Sequence, residues 1–262
     1  MAKKPSTKKS VLLEEIFSGA IGFLESCPGV HEVKLCSRNN SLSSYHFLAW
    51  ERDHPGIALP SDLKAFLQIT DGILLGWSVK FSHQEAFQLG AIHINALERL
   101  VRVDSPRRTA DGSALDHPYF QPLSKPPGPS FVLQECRGYG RVCLCYMHTP
   151  PRYNYSPSSE SLKDDPAQAT GTTGTAGAPQ PDGESRAQPV VQVWFQETKP
   201  GEGAGSWFRI AKSFTAYFRL MIEHMGIHGW QLAFTDSGLP PAVLDWMCFY
   251  VPARAKMYRQ HR

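Results

Sequence analysis

The amino-acid sequence predicts an α+β fold: a single domain with a mainly antiparallel, curved sheet and flanking helices. Segments with strand-like alternation come in local groups, such as 131–136 and 141–147, which a short Gly-containing connection joins as a hairpin. Segments with helical spacing lie around these groups and do not alternate with single strands, as they would in a parallel βαβ fold. The 262 residues are 42% hydrophobic, which is enough to bury a sizeable core without disulfides.

The first fifty residues predict an arm, a helix and two short strands. Residues 1–9 are polar and basic, so we expect a disordered arm. A helix should then run from Ser10, which can cap it, to about Leu24, because apolar residues recur there at helical spacing. Apolar–polar alternation predicts strands at 33–35 and 45–49.

Residues 59–81 read LPSDLKAFLQITDGILLGWSVKF and combine both kinds of spacing. The Leu-Pro-Ser-Asp start suits the first turn of a helix, and an alternating strand follows the Asp-Gly pair. We expect Gly72 to take the left-handed conformation that closes the helix, with Asp71 beside it. The apolar face of this helix comprises Leu63, Phe66 and Leu67. Asp71 and Gly72 are therefore predicted to form a structural turn of a scaffold.

The second half of the chain predicts an interrupted sheet. Residues 156–189 contain one large aliphatic residue and no aromatic residue, so we expect a disordered insertion within one sheet. Two strands, a helix that ends at Gly226 and a last helix that opens at Leu239 follow. The predicted organisation is a disordered basic arm at 1–9, a first part of the domain at 10–155, the insertion at 156–189, a second part at 190–252 and a basic C-terminal tail at 253–262.

The motifs that carry chemistry are weak in this sequence. It contains no G-x-S-x-G, P-loop or H-E-x-x-H motif, and the Gly138–Gly140 stretch fits a hairpin turn better than a phosphate-binding loop. A zinc site could be formed by Cys136, Cys143, Cys145 and His148, whose residue types are those of zinc ligands. Their spacing does not match a zinc motif, and the cysteines are better explained as small buried side chains. An acid–base set of Asp53, His54 and Asp71 is a further alternative, although His54 precedes Pro-Gly and suggests a surface loop. We predict no catalytic residue, no cofactor and no metal.

Charge and hydropathy limit the classes of partner. The net charge is only +3, which is unlike a protein that coats nucleic acid. No run of eighteen apolar residues exists and acidic residues interrupt the N-terminal apolar stretch, so we expect neither a membrane span nor a signal peptide, and a cytoplasmic protein. One or two of the six tryptophans could anchor a protein partner. An acidic partner could be attracted by Lys3, Lys4, Lys8 and Lys9.

The motif LPxDLKxFL at 59–67, followed by Asp71-Gly72 and an apolar strand, resembles the SUKH superfamily. Longer stretches resemble the subunits of tubulin polyglutamylase complexes: CPGVHEVKL at 27–35, the whole of 51–81, GAIHINALERL at 90–100 and SFTAYFRLMIEHMGIHGWQLAFT at 213–235. These resemblances imply a SUKH-like fold and a non-catalytic scaffold that supports glutamate addition to tubulin.

The partners that the second resemblance implies are the other complex subunits, including a tubulin-tyrosine-ligase-like catalytic subunit, and tubulin or microtubules, directly or through those subunits. It also implies a location at microtubules or the centrosome. The alternatives are a general SUKH-type adaptor unrelated to tubulin, and a small soluble enzyme that uses Cys136, Cys143, Cys145 and His148.

Overall fold

The computed structural model describes residues 8–37, 41–81, 85–103, 123, 125–147, 190–199 and 203–259. Within them the helices are α1 (Lys8–Ser26), α2 (Ser44–Asp53), α3 (Ser61–Ile69), α4 (Phe214–Glu223), α5 (Pro241–Tyr250) and α6 (Pro252–Arg259), with short 3₁₀ helices at Leu97–Arg99 and Trp230–Phe234. The strands are β1 (Val30–Ser37), β2 (Ile73–Val79), β3 (Phe87–Ile94), β4 (Arg102–Val103), β5 (Ser130–Glu135), β6 (Gly140–Met147), β7 (Val190–Lys199) and β8 (Gly203–Ala211). The predicted α+β class is confirmed.

The strands form two antiparallel sheets, whereas the sequence predicted a single, mainly antiparallel sheet. The three-stranded sheet has the order β1-β2-β3, and the five-stranded sheet has the order β4-β5-β6-β7-β8. They meet where the Asn95 N–H donates to the Leu133 carbonyl oxygen at 2.9 Å, just after β3 ends. The Asn95 side-chain Nδ2 donates to the neighbouring Val132 carbonyl oxygen at 3.2 Å, and the contact is short because the chain leaves β3 for the 3₁₀ helix at Leu97.

The insertion interrupts one sheet, as predicted. Strand β6 pairs with β7 in a continuous register from Gly140 opposite Glu197 to Met147 opposite Val190. The residues that precede and follow the long connection are therefore cross-strand partners within one domain. Residues 156–189 themselves lie outside the described residues.

We expect residues 156–189 to be dispensable for folding. Because Met147 and Val190 are already paired, a short Gly-Ser linker can replace the segment without moving either strand. The stability of the variant should stay within about 1 kcal/mol of the parent protein, measured as the midpoint of cooperative thermal or urea unfolding. Loss of the cooperative transition would show instead that the segment packs onto the core.

The main core lies between the sheets and the helices. Its large, almost fully buried aromatic side chains are Phe17, Trp77, Phe131, Tyr146, Phe195, Tyr217, Trp230 and Tyr250. A smaller cluster occupies another part of the five-stranded sheet and consists of Val103, Val132, Cys143, Cys145, Trp194 and Trp207, with Leu123 and Met147 against it. Both sheets are thus fixed by side chains that are distant in the sequence.

Two local predictions are wrong. The strand predicted at 45–49 is helix α2, because its buried residues, Phe47 and Trp50, are spaced by three rather than by two. Lys8 and Lys9, assigned to the disordered arm, begin helix α1, so Ser10 is not its cap. The basic tail predicted at 253–262 is helical as far as Arg259, and its Ala255 is buried against the domain.

Candidate interaction surface

The corner after helix α3 is built differently from its prediction. Thr70, not Gly72, ends the helix, and its hydroxyl donates to the Gly72 carbonyl oxygen at 2.7 Å. Gly72 has the predicted positive φ of +81°, but at the start of β2. The neighbouring Asp71 is buried, and its Oδ1 accepts a hydrogen bond from the Leu97 N–H at 2.8 Å. The Asp71 carboxylate therefore caps the 3₁₀ helix that follows β3.

Two carboxylates at the opposite end of α3, where the helix begins, also hold backbone groups. Asp62 Oδ2 accepts hydrogen bonds from the Thr215 N–H at 2.9 Å and from the Thr215 hydroxyl at 3.1 Å, which joins α3 to the first turn of α4. Glu51 Oε1 accepts from the Leu59 N–H at 2.8 Å and pairs with Lys64 Nζ at 2.6 Å. These contacts favour a structural role for the carboxylates at both ends of α3.

The candidate cysteine site is divided between two core clusters. Cys143 and Cys145 lie in the smaller cluster, Cys136 lies in the main core, and His148 is outside the described residues. Burial raises the pKa of all three thiols, that of Cys145 to about 12, so these side chains are held as neutral thiols. In the part of the chain that the structure describes, no group of three or more His, Cys, Asp or Glu side chains could hold a metal ion.

Of the three candidate acid–base residues, Asp53 and Asp71 line one cavity of about 740 Å³, and His54 is not part of its lining. His54 lies in the loop that follows α2, as predicted, but it is half-buried there, and its ring stacks on Trp50 with centroids 4.1 Å apart. His54 Nδ1 donates to the Trp50 carbonyl oxygen at 2.8 Å. Asp53 pairs with its exposed neighbour Arg52, and Asp71 caps the helix at Leu97.

A surface of four aromatic side chains, which we call the aromatic surface, forms between α5 and the loop ends of β2 and β3. It consists of Phe81, Phe87, Trp246 and Phe249. The Trp246 ring stacks on Phe81 with centroids 6.0 Å apart and packs against Phe87 at 5.7 Å, while Phe249 meets Phe81 edge-on at 6.5 Å. Phe249 is 56% exposed and Phe87 is 40% exposed.

Helix α5 presents this surface because it is apolar on more than one side. Val243, Met247 and Tyr250 point into the core, whereas Trp246 and Phe249 form a second stripe, three residues apart. Asp245 is the one charged residue among the ten of this helix. The buried ring of Tyr250, which contacts Trp246 and Phe249, supports the stripe from below. The outer rings are therefore held in place by the core.

Three curated proteins are similar to the chain over most of its length. Tubulin polyglutamylase complex subunit 2 of Rattus norvegicus is 27% identical over an alignment of 262 positions, gaps included, and this alignment covers 92% of this chain and 72% of that protein. The proteins of the same name from Mus musculus and Homo sapiens are 27% and 26% identical over 259 and 257 residues. The predicted resemblance is confirmed. The chain is similar to tubulin polyglutamylase complex subunit 2, and that protein is named as one subunit of a larger complex.

No family model and no solved structure matches the chain. The SUKH-like fold therefore stays a prediction, beside the resemblance to subunit 2 proteins. Among the helices that the structure describes, none is both long and apolar enough to cross a membrane.

One part of the aromatic surface was predictable. We expected one or two tryptophans near a partner, and Trp246 is half-buried, whereas the other five are buried: Trp50, Trp77, Trp194, Trp207 and Trp230. Phe81, Phe87 and Phe249 were missed as surface residues. The available signal was the second apolar stripe of α5, which exceeds what one packed face requires.

The lysine arm remains a prediction. Lys3 and Lys4 lie outside the described residues, and Lys8 and Lys9 belong to the first turn of α1. The predicted contact of these four lysines with an acidic partner is not tested by the structure.

Proposed function

We propose that the chain is a non-catalytic scaffold subunit of a tubulin polyglutamylase complex. It supports the addition of glutamate side chains to tubulin by a separate, tubulin-tyrosine-ligase-like catalytic subunit, in the cytoplasm at microtubules or the centrosome. One observation carries the proposal: the similarity to subunit 2 proteins extends over 92% of the chain. A resemblance of that extent involves the whole domain rather than one motif.

The aromatic surface supports a role in assembly. Protein interfaces concentrate their binding energy in a few aromatic anchors that lose their water on binding. Phe249 and Phe87 expose large parts of their rings, and Trp246 lies between them. The Trp246 and Phe249 rings already pack against Phe81 and Tyr250, and Phe87 packs against Trp246, so little side-chain entropy is lost when a partner covers them.

The hydrogen bonds of the carboxylates support a non-catalytic role for this chain beside a separate catalytic subunit. ATP-dependent ligation needs groups that bind phosphate and magnesium, and Mg²⁺ is usually held by carboxylates together with the substrate phosphates. Asp62, Asp71 and Glu51 instead hold backbone N–H groups of neighbouring helices and loops. We therefore assign the chemistry to another subunit.

We predict that the isolated chain adds no glutamate to tubulin. The assay supplies purified chain with ATP, Mg²⁺, labelled glutamate and tubulin, and it compares incorporation with that of a complete complex. Incorporation above background that persists through further purification and is lost when residues of this chain are changed would contradict the assignment.

The proposed function is tested by identifying what the full-length chain binds. A tagged chain is expressed in cells, and the proteins that co-purify with it at moderate salt are identified by mass spectrometry. We expect a tubulin-tyrosine-ligase-like subunit in stoichiometric amount, together with other complex subunits. Stable partners without any such ligase would indicate the alternative, a general adaptor unrelated to tubulin.

A further inference from the structure

The outer face of the three-stranded sheet is a second surface, distinct from the aromatic surface. Leu74, Gly76 and Ser78 of β2 alternate with core residues and point away from the core. Their cross-strand partners on this face are Glu32, Lys34 and Cys36 of β1 and Gln88, Ala91 and His93 of β3. We call this surface the outer face. Leu74 in its middle strand is 38% exposed, and Cys36 beside it is also exposed.

The middle of the outer face is lined by small residues. Gly76 lies opposite Lys34 on one side and Ala91 on the other. A Cβ atom at Gly76 would lie 3.0 Å from Gln88 Nε2, so the Gln88 side chain already leans over this position. The small residues leave a shallow trough along β2, and the flexible Gln88 side chain, which lies over Gly76, has to move aside before another backbone can approach closely.

Three cations border this trough. Lys34 is exposed on the edge strand β1, and Arg137, also exposed, donates a hydrogen bond to Gln88 Oε1 beyond β3. Exposed Arg99 joins Cys36, Leu74 and His93 in lining a cavity of about 240 Å³ at the end of the face. Burial lowers the pKa of His93, and the Arg99 charge lowers it further, which agrees with a positive potential here.

Two acidic groups belong to the same region. Glu32 is exposed at the far end of the row on β1, and Asp71 lines the cavity but uses Oδ1 to hold the Leu97 N–H. The three strands span about 10 Å, so the cations lie within reach of one extended peptide. Arg and Lys side chains bind a carboxylate through charge-assisted hydrogen bonds, which are stronger than hydrogen bonds between neutral groups.

We propose that the outer face binds an extended, glutamate-rich peptide segment, with its carboxylates on Lys34, Arg99 and Arg137. The inference rests on the proposed function, because a complex that adds glutamates to tubulin produces rows of carboxylates. The shallow trough admits an extended backbone, and the surrounding cations select for acidic side chains. The outer face thus retains the glutamylated product, while the aromatic surface joins the subunits.

Cys36 makes the outer face directly observable. It is exposed, whereas Cys136, Cys143 and Cys145 are buried and Cys27 and Cys248 are half-buried. The experiment measures the rate at which a neutral alkylating reagent modifies Cys36 in the full chain, with and without a polyglutamate peptide. We expect the peptide to slow this modification by at least about threefold at low ionic strength, and less at physiological salt. Single-stranded RNA of equal charge should protect Cys36 less.

Charge-matched variants show whether the peptide binds to the cations of the outer face or to cations elsewhere on the protein. The test variant is Lys34→Gln with Arg99→Gln, and the control is Arg219→Gln with Lys256→Gln, two exposed cations on α4 and α6. Both variants lose two positive charges. Protection of Cys36 should be lost in the test variant and retained in the control. It should also survive replacement of the arm lysines, Lys3, Lys4, Lys8 and Lys9, by serine.

Several outcomes would overturn the proposal. One is peptide binding without protection of Cys36, and another is equal loss of protection in the two charge-matched variants. Equal protection by RNA would show a general anion surface instead. A lysine on an edge strand also discourages unwanted strand pairing, and that role alone predicts no protection by the peptide. Co-purification with complex subunits is measured in the same variants, so failure of peptide binding and failure of the proposed assembly are distinguished.

Discussion

Replacing Trp246 and Phe249 together by alanine should weaken binding to the partner subunits by at least about 100-fold. Central aromatic anchors of an interface commonly cost about 2 kcal/mol or more each on truncation. Phe249 is 56% exposed and meets Phe81 edge-on, and Trp246 packs on Phe81 and Phe87, so the double change removes the centre of the aromatic surface. The measurement is co-purification, followed by titration with the purified partner.

The control for this prediction is an equally apolar pair elsewhere on the protein. Tyr45 and Leu48 of α2 are 77% and 65% exposed, against 56% for Phe249 and a half-buried Trp246, so Tyr45→Ala with Leu48→Ala removes at least as much exposed side chain. We expect this control to bind its partners normally. Because Trp246 and Phe249 both pack on Tyr250, urea unfolding of the double variant and of the single variant Phe249→Ser separates lost binding from lost stability. Normal binding of both aromatic-surface variants, or loss of binding in the control alone, would place the interface elsewhere.

Gly72→Val should reduce the free energy of unfolding by about 3 kcal/mol or more. Gly72 has a φ of +81°, which a β-branched residue resists. A Cβ atom there would also lie 2.8 Å from the Ala96 nitrogen and 3.0 Å from the Ile94 carbonyl oxygen. Both contacts are with backbone, which cannot move aside as a flexible side chain can. The measurement is urea unfolding at constant pH.

Gly56 provides the matched control for the contribution of the backbone contacts. Its φ is also +81°, but no atom lies within 4 Å of the Cβ position. Gly56→Val therefore reports the conformational strain alone and should cost clearly less than Gly72→Val. If the two substitutions cost the same, the close approach of Gly72 to the end of β3 contributes nothing to stability.

The fold class was predictable because local patterns dominate several elements. Helix α4 and the β5–β6 hairpin follow from apolar spacing and a Gly-containing turn. The same reasoning failed at α2, where Tyr45, Phe47 and Ala49 alternate but burial selects Phe47 and Trp50. The division into two sheets arises where the chain leaves β3 for the 3₁₀ helix at Leu97, and the sheets are joined by the Asn95–Leu133 hydrogen bond, between residues that no local pattern relates.

The candidate surfaces were less predictable than the fold. The role of Asp71 depends on Leu97, 26 residues later in the chain, so the sequence showed only a turn. Trp246 and Phe249 are recognisable in the sequence as an extra apolar stripe on α5. Phe81 and Phe87 reach Trp246 only because the sheet packs beside this helix, which the sequence does not show. The outer face is set by the register of three strands, which places Lys34 beside Gly76.

We propose that this chain supports glutamate addition by holding a complex together rather than by catalysing the reaction. The decisive measurement is glutamate incorporation into tubulin by the purified catalytic partner, alone, with the wild-type chain and with the Trp246→Ala, Phe249→Ala variant. We predict that the wild-type chain stimulates incorporation and that the variant, although folded, does not. Equal incorporation in all three reactions, or full stimulation by a variant that no longer co-purifies, would contradict the claim.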